Sequence, residues 1–507
     1  MDNPVIGKRV AFDTFLNSYK ETLKKVFDKK ETMDMLVHKR GFPPRVLSEI
    51  MAANPLSVVI PSEYGGRGGG TRECLGIMDA SSYESLPLSL TMGINLALFL
   101  SPVSKYANKD VKEDIFNRFL TRQNMGGLMI TEPNFGSDAL GMQTSNYKSG
   151  SEYILNGTKH WQGLTGMADY WLITSREKLE NGSLGRDIDF FICDVQEPQQ
   201  RIHVEEIYNN VGLYPIPYGK NIVDIRVPEQ YKLEAESTGL KLMLDLLHRS
   251  RMHFPGMGIG FIRRMLDEAI QHCNQRFVGG KPLIDLDQVK HQISRIQSAF
   301  TISSAMCLRS SAESGIEKDL SGSSVEANSM KAYVTDMMQE SAQILTQVSG
   351  GNGYKAESMG SRGMLDSRPF QIFEGSNEML YTQISESVIK MMSRIKEVNL
   401  SSFFMKYDLT KNVAAHFKSA LNFNVDVKTP QRKLIDLGKI ISRVISMNHL
   451  EEMGNKGFRQ DLIKSSIETI KHEITMLVAS YQYQIKAAPI EEYKEDGNWL
   501  SINPERK

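Results

Sequence analysis

The sequence predicts an α+β fold, mainly α: a helical N-terminal domain (1–125), a small β domain (126–235), an antiparallel helical bundle (236–395) and a helical extension (396–507). Three observations carry this reading. Apolar residues recur at helical spacing in the first stretch, the texture turns β-branched and aromatic in the second, and long amphipathic segments return after Gly239. With 41% hydrophobic and 24% charged residues, a 507-residue chain has apolar side chains for several cores.

In the first stretch "VLSEIMAANPLSVVI" has helical spacing. "LPLSLTMGINLALFLSPV" is the most apolar run, but Asn95 and several hydroxyls interrupt it and it is short of a membrane span, so a buried helix is expected. In the second stretch "DFFICDV" and "NIVDIRVP" read as strands, and Asn156-Gly157 within "EYILNGTKHWQG" predicts a hairpin turn. The third carries "GLKLMLDLLHRSRM", "FIRRMLDEAIQHCNQRF", "LDQVKHQISRIQSAFTISSAMCL" and "VEANSMKAYVTDMMQESAQIL", the pattern of an antiparallel bundle. In the extension Ile463, Ile467, Ile470, Ile474, Leu477, Tyr481 and Ile485 form one stripe. It is expected to pack as a cap on the bundle, with a twin subunit or a membrane surface as the other candidates; lysines balanced by acids disfavour the membrane.

Sixty basic residues balance sixty acidic ones, so net charge points to a small-molecule partner and not to nucleic acid. Cys74, Cys193, Cys273 and Cys307 lie far apart without a CxxC pair or Cys/His cluster, which argues against a metal site and a disulfide framework. The start, "MDNPVIGKRVAFDTF", matches neither a secretory signal nor an Arg-rich transit peptide, and a cytoplasmic location is expected.

"FQIFEGSNEM" sets the carboxylate of Glu374 between Phe370, Ile372 and Phe373, which should bury it, and a Gly-Ser-Asn turn. Buried acids are uncommon unless paired or used, so Glu374 is either a base or an ordinary helix-cap glutamate. Five further segments accompany it: "VVIPSEYGGRGG", "MITEPNFGSDALGMQT", "YILNGTKHWQGLTGMADYWLI", "CNQRFVGGKPLIDLDQVKHQ" and "QVSGGNGYKAE". In this order, over roughly residues 35 to 395, they resemble the flavin-dependent acyl-CoA dehydrogenases.

The resemblance implies a middle β-barrel or sandwich, a four-helix bundle and FAD. Ile130, Thr131, Gly136, Ser137, Trp161 and Gly163 would line the cofactor, Trp161 along the isoalloxazine edge, with Ser376 and Glu378 close by. Arg276, Gln347, Gly350 and Gly351 would meet the FAD of a neighbouring subunit, which implies a homodimer or homotetramer. Glu374 takes the place of the base that removes the α-proton of an acyl thioester while a hydride leaves the β-carbon, giving a trans-2-enoyl product as in fatty acid β-oxidation. Ser137, His248, Arg251, Phe373 and Gly375 match substrate-side positions, and electrons would pass to an electron-transfer flavoprotein or a similar carrier.

The chain departs from the pattern at several points. Gly163 replaces a Ser or Thr that bonds the flavin, Gly279 a phenylalanine, Leu365-Asp366 an Arg-Asp pair, Phe373 a frequent tyrosine and Ser376 a threonine. Some branches place the base just before the arginine of "LLHRSRM", where this chain has Ser250, leaving Glu374 as the matching candidate. An acyl-CoA oxidase or flavin monooxygenase on the same fold, and a non-catalytic flavin-binding assembly subunit, are the alternative readings.

Overall fold

A computed structural model describes residues 10–29, 40–484, 486–495 and 497–502. The first domain consists of α1 (Phe12–Phe27), α2 (Pro44–Met51), α3 (Gly70–Glu84), α4 (Leu86–Gly93), α5 (Ser101–Tyr106) and α6 (Lys109–Arg122). A π-helical stretch, Ile94–Leu100, joins α4 to α5, so residues 86–106 make one rod. It is the one helix among the described residues long and apolar enough to span a membrane, and it is packed inside the protein as a core helix. Its interrupting Asn95 is satisfied there, donating to the Thr91 carbonyl (2.8 Å) and accepting from the Gly126 N–H (2.7 Å) at the start of the β domain.

The β domain is a sheet in the order β1 (Gly126–Met129), β4 (Tyr170–Glu177), β2 (Ser145–Ser149), β3 (Glu152–Gly163), β7 (Tyr218–Pro228) and β6 (His203–Ile207), with β5 (Asp189–Asp194) also on β4. The hairpin expectation is corrected: Asn156 and Gly157 lie in the middle of β3, paired with Asp224 and Val223, and the β2–β3 turn is made at Gly150 (φ +65°). Close packing explains the glycine, because a Cβ on Gly157 would lie 2.2 Å from Thr144 Oγ1. The Asn156 amide donates instead to Asp224 on the neighbouring strand (2.7 Å).

The two amphipathic segments after Gly239 are one helix, α7 (Gly239–Gln275), with Pro255 inside it. Its start is capped by the Thr238 hydroxyl, which accepts from Lys241 N–H, and by the Asp187 carboxylate, which accepts from Gly239 and Leu240. A small hairpin, β8 (Phe277–Val278) and β9 (Lys281–Pro282), precedes α8 (Asp287–Glu313), α9 (Ser324–Ser349), α10 (Met359–Ser367) and α11 (Asn377–Arg394). α7 and α9 run the same way, since Arg251 bonds Asn328 and Gly258 approaches Val334 further along both helices.

The extension holds α12 (Leu400–Phe404), α13 (Gln431–Asn455) and α14 (Gln460–Gln482). α13 packs on α8, α9 and α11, and α14 on α8 and α13. Ile463, Ile470, Ile474 and Tyr481 of the stripe are buried and Ile467 and Leu477 half-buried, while Ile485 lies outside the described residues. The stripe is therefore consumed within the chain. All four cysteines are free, three of them buried.

Candidate active site

Glu374 sits in the loop between a 3-10 turn (Arg368–Gln371) and the first turn of α11, and its φ of +51° is a left-handed conformation uncommon outside glycine. Such backbone costs on the order of 1–3 kcal/mol and persists only where its surroundings hold it. Two buried cations do so here. Arg251 Nε of α7 donates to the Glu374 carbonyl (3.1 Å), and Lys331 Nζ of α9 donates to the Gly375 carbonyl (2.7 Å) and Asn377 Oδ1 (3.0 Å). Because peptide units are planar and trans, the N–H groups of Gly375 and Ser376 point away from these cations, to the other side of the loop. Gly375 continues the turn at φ +93°, where a Cβ would press on Leu380.

The Glu374 carboxylate accepts from the Ser250 hydroxyl at 3.2 Å through Oε1, while its buried Oε2 has no hydrogen-bond partner. Burial raises its pKa above the ordinary 4.5, and the bond from Ser250 and the charges of Arg251 and Lys331 only partly oppose this. Burial also lowers Lys331 to about 7, with Glu374 pulling the other way. A half-satisfied carboxylate with a raised pKa is equipped to take a proton from carbon.

Phe373 is half-buried, 4.9 Å from the Phe370 ring and 6.1 Å from Phe254 on α7. Burial of Ile372 was expected and is not found: the residue is 56% exposed, because the turn that buries Phe370 carries its neighbour outward. His248 is buried, its Nδ1 2.8 Å from the Leu320 carbonyl, and burial lowers its pKa to about 4, so it is a neutral interior imidazole. Ser376 precedes α11 and Glu378 is exposed in its first turn.

Trp161 is also left-handed (φ +62°), at a β-bulge between His160 and Gln162 that turns its ring out of the sheet. The ring is 52% exposed and 4.5 Å from Tyr208, so an aromatic wall stands at the edge of the domain. Gly163 ends β3 against Ile94, to which a Cβ would approach within 3.0 Å. One residue earlier on that rod, Gly93 faces Met257 of α7, two turns beyond Ser250. Gly163 thus lies where the β domain meets the 86–106 rod, and that rod in turn packs on α7, the helix that carries Ser250 and Arg251.

The Ile130–Thr131 segment is held from beneath. The Ile130 carbonyl accepts from Lys159 Nζ, and the Thr131 carbonyl from His160 N–H and the Gln162 amide. The buried Glu132 carboxylate pairs with Lys159 (2.8 Å) and accepts from the N–H groups of Gln143 and Thr144. Burial would raise Glu132, but these partners hold it below the ordinary range. Gly136 and Ser137 are exposed, and their N–H groups find no acceptor among the described residues. Open backbone donors and an exposed tryptophan on one domain suit a flat, hydrogen-bonding ring such as a flavin.

Arg276, Gln347, Gly350 and Gly351 lie elsewhere. All four are exposed where α7 and α9 end, and Arg276 is about 37 Å along α7 from Arg251 at 1.5 Å per residue. The structure does not bring them to the Glu374 of their own chain. A cavity of about 300 Å³ bordered by Phe261, Arg264, Arg362 and Asp366 lies further along α7 than the base. Lys331, Asn328 and Asn377 were missed from sequence; the signal was a lysine on the otherwise small and apolar face Ala327, Val334 and Met338.

The N-terminal domain of acyl-CoA dehydrogenases matches residues 14–123, the middle domain 127–224 and the C-terminal domain 237–389. The chain is 27% identical over 369 residues to the caffeyl-CoA reductase-Etf complex subunit CarC of Acetobacterium woodii, covering 71% of this chain and 93% of that protein. It is 24% identical to the short-chain specific acyl-CoA dehydrogenase of Megasphaera elsdenii, covering 68% and 89%. Among solved structures, an acyl-CoA dehydrogenase complexed with FAD from Bacillus anthracis shares the fold at a TM-score of 0.75 and 17% identity, over 94% of this chain and 88% of that one. Butyryl-CoA dehydrogenase of Megasphaera elsdenii does so at 0.65 and 20%, over 76% and 100%. With three family domains matched in order over most of its length, the chain belongs to the acyl-CoA dehydrogenase family.

Proposed function

We propose that the protein is an FAD-dependent oxidoreductase that removes two hydrogens from the α and β carbons of an acyl-CoA thioester, giving the trans-2-enoyl-CoA. The observation that carries this reading is Glu374: a carboxylate with one buried oxygen unpartnered, a raised pKa, and a backbone fixed by Arg251 and Lys331. Its role is to take the α-proton. The Glu374 N–H, which finds no acceptor among the described residues, is a donor for the thioester oxygen as negative charge develops there. When bound, FAD supplies the acceptor for the hydride leaving the β-carbon. Trp161, Gly163 and the segment Ile130–Ser137 hold the ring, with Ser376 and Glu378 near it; Phe373 and Phe254 shape the apolar side.

Arg276, Gln347, Gly350 and Gly351 serve the FAD of a second subunit, so the active unit is at least a dimer. Electrons leave to an electron-transfer flavoprotein or a similar carrier, a reading supported by the Etf-associated relative. Incubating the FAD-loaded protein with acyl-CoAs of graded length and analysing products by mass spectrometry tests this. A thioester two hydrogens lighter, formed with an electron-transfer flavoprotein as acceptor and without hydrogen peroxide, is expected; a hydroxylated product, or stoichiometric peroxide, would overturn it.

A further inference from the structure

The loop that carries Glu374 is braced from both flanks by one carboxylate. Asp336 Oδ1 on α9 accepts from the Gln371 amide (2.8 Å), before the base, and from the Asn377 amide (2.7 Å), after it. Its other oxygen accepts from the Tyr381 hydroxyl at 2.7 Å. That phenol oxygen in turn accepts from Arg443 on α13 at 3.2 Å. Arg443 Nε donates to Glu473 Oε2 on α14 (3.0 Å), which also accepts from the Tyr333 hydroxyl (3.0 Å), and the guanidinium lies 4.0 Å over the Tyr333 ring. Tyr333, Tyr381 and Arg443 are all buried.

The extension beyond residue 395 is thus wired to the base loop through a continuous chain of polar contacts, buried at Tyr333, Tyr381 and Arg443 and half-buried at Asp336 and Glu473. Backbone packing reinforces it: Gly438 of α13 sits so close to α11 that a Cβ would lie 2.1 Å from the Tyr381 carbonyl oxygen, and Ser385 of α11 donates to the Leu434 carbonyl (2.6 Å). An ion pair as buried as Arg443–Glu473 adds little stability by itself, since desolvation offsets the attraction, so its use lies in fixing geometry. Asp336 without the Tyr381 hydroxyl would be free to release Gln371 and to hold Asn377 less firmly, leaving the Glu374 backbone to its bonds from Arg251 and Lys331.

We propose that Arg443 and Glu473 of the C-terminal extension are positioning residues for the base loop, acting through Tyr381 and Asp336 on Gln371 and Asn377. Its catalytic consequence rests on the reading of Glu374 as the base; the bracing itself does not. Tyr381→Phe removes the one oxygen shared by Asp336 and Arg443 and keeps the ring, while Glu473→Gln and Arg443→Lys give milder breaks should the first variant fold poorly.

In the full-length, FAD-loaded protein, amide exchange in a peptide spanning 370–379 is expected to accelerate about tenfold or more in Tyr381→Phe. Exchange in β5 is expected to stay unchanged. The acid limb of acyl-CoA-driven flavin bleaching, set by Glu374 facing Ser250, Arg251 and Lys331, is expected to move to lower pH as water reaches the carboxylate. Arg443→Lys, which keeps a donor, should return part of the wild-type limb. Unchanged exchange at 370–379 would overturn the proposal, and so would faster exchange with an unmoved limb, which would be packing alone. If no acyl-CoA bleaches the wild type, the assigned reaction fails, and exchange alone decides whether the extension braces the loop.

Discussion

Lys331 and Arg251 place two positive charges on the carbonyl side of the Glu374 loop while the carboxylate lies between Ser250 and an unpartnered end. Burial raises the Glu374 pKa, so the proton-accepting form is lost as pH falls through a value above 4.5, and the bleaching rate should show an acid limb there. Lys331 opposes the rise. Lys331→Met should therefore make the carboxylate harder to ionise and move the acid limb to higher pH, read from single-turnover rates across pH. The same change leaves the Gly375 carbonyl short of a donor and should lower stability by about 1–3 kcal/mol in denaturant unfolding. Glu374 itself was legible because carboxylate, glycine turn and flanking aromatics are contiguous. Lys331 was not, since what makes it unusual is burial against a loop some forty residues later, and nothing local marks that.

At the level of elements, periodicity identified the helices of the bundle but not where they join: α7 runs through Pro255, since its first turn is capped by Thr238 and Asp187 and both halves pack along α9. Asn156-Gly157 misled because turn chemistry is read from the dipeptide alone, whereas Gly157 is small to admit Thr144, the residue just before β2. The bulge at Trp161 has no sequence signature of its own; the positive φ there, as at Glu374, is imposed by what surrounds it. Contact between α11 and α13 depends on one missing side chain. Gly438→Ala would set a methyl 2.1 Å from the Tyr381 carbonyl and should cost about 1–3 kcal/mol, seen as a lower thermal midpoint.

For the whole molecule, Arg276 and the Gln347–Gly351 turn lie exposed at the end of the bundle away from their own Glu374. If they serve a second subunit, Arg276→Ala should weaken FAD retention about ten- to a hundredfold, the loss of one or two charge-assisted hydrogen bonds, without moving the Glu374 acid limb. Equilibrium dialysis of FAD together with sedimentation-based mass at matched concentrations checks the first part, and single-turnover bleaching rates across pH check the second. The stripe in the extension was readable as an apolar face, and burial on α8 and α13 uses it up. Its chain of polar contacts to the base loop was not, since Asp336, Tyr381, Arg443 and Glu473 come from four helices and meet only after folding.

Anaerobic mixing of the FAD-loaded protein with acyl-CoAs, wild type against Glu374→Gln, tests the central claim most directly. Bleaching of the flavin by at least one thioester, slowed about 10²–10⁴-fold or more by the substitution with FAD still bound, is the predicted result. Equal bleaching by both proteins, or none by the wild type with any thioester, would contradict the assignment of Glu374 as the base of an acyl-CoA dehydrogenation.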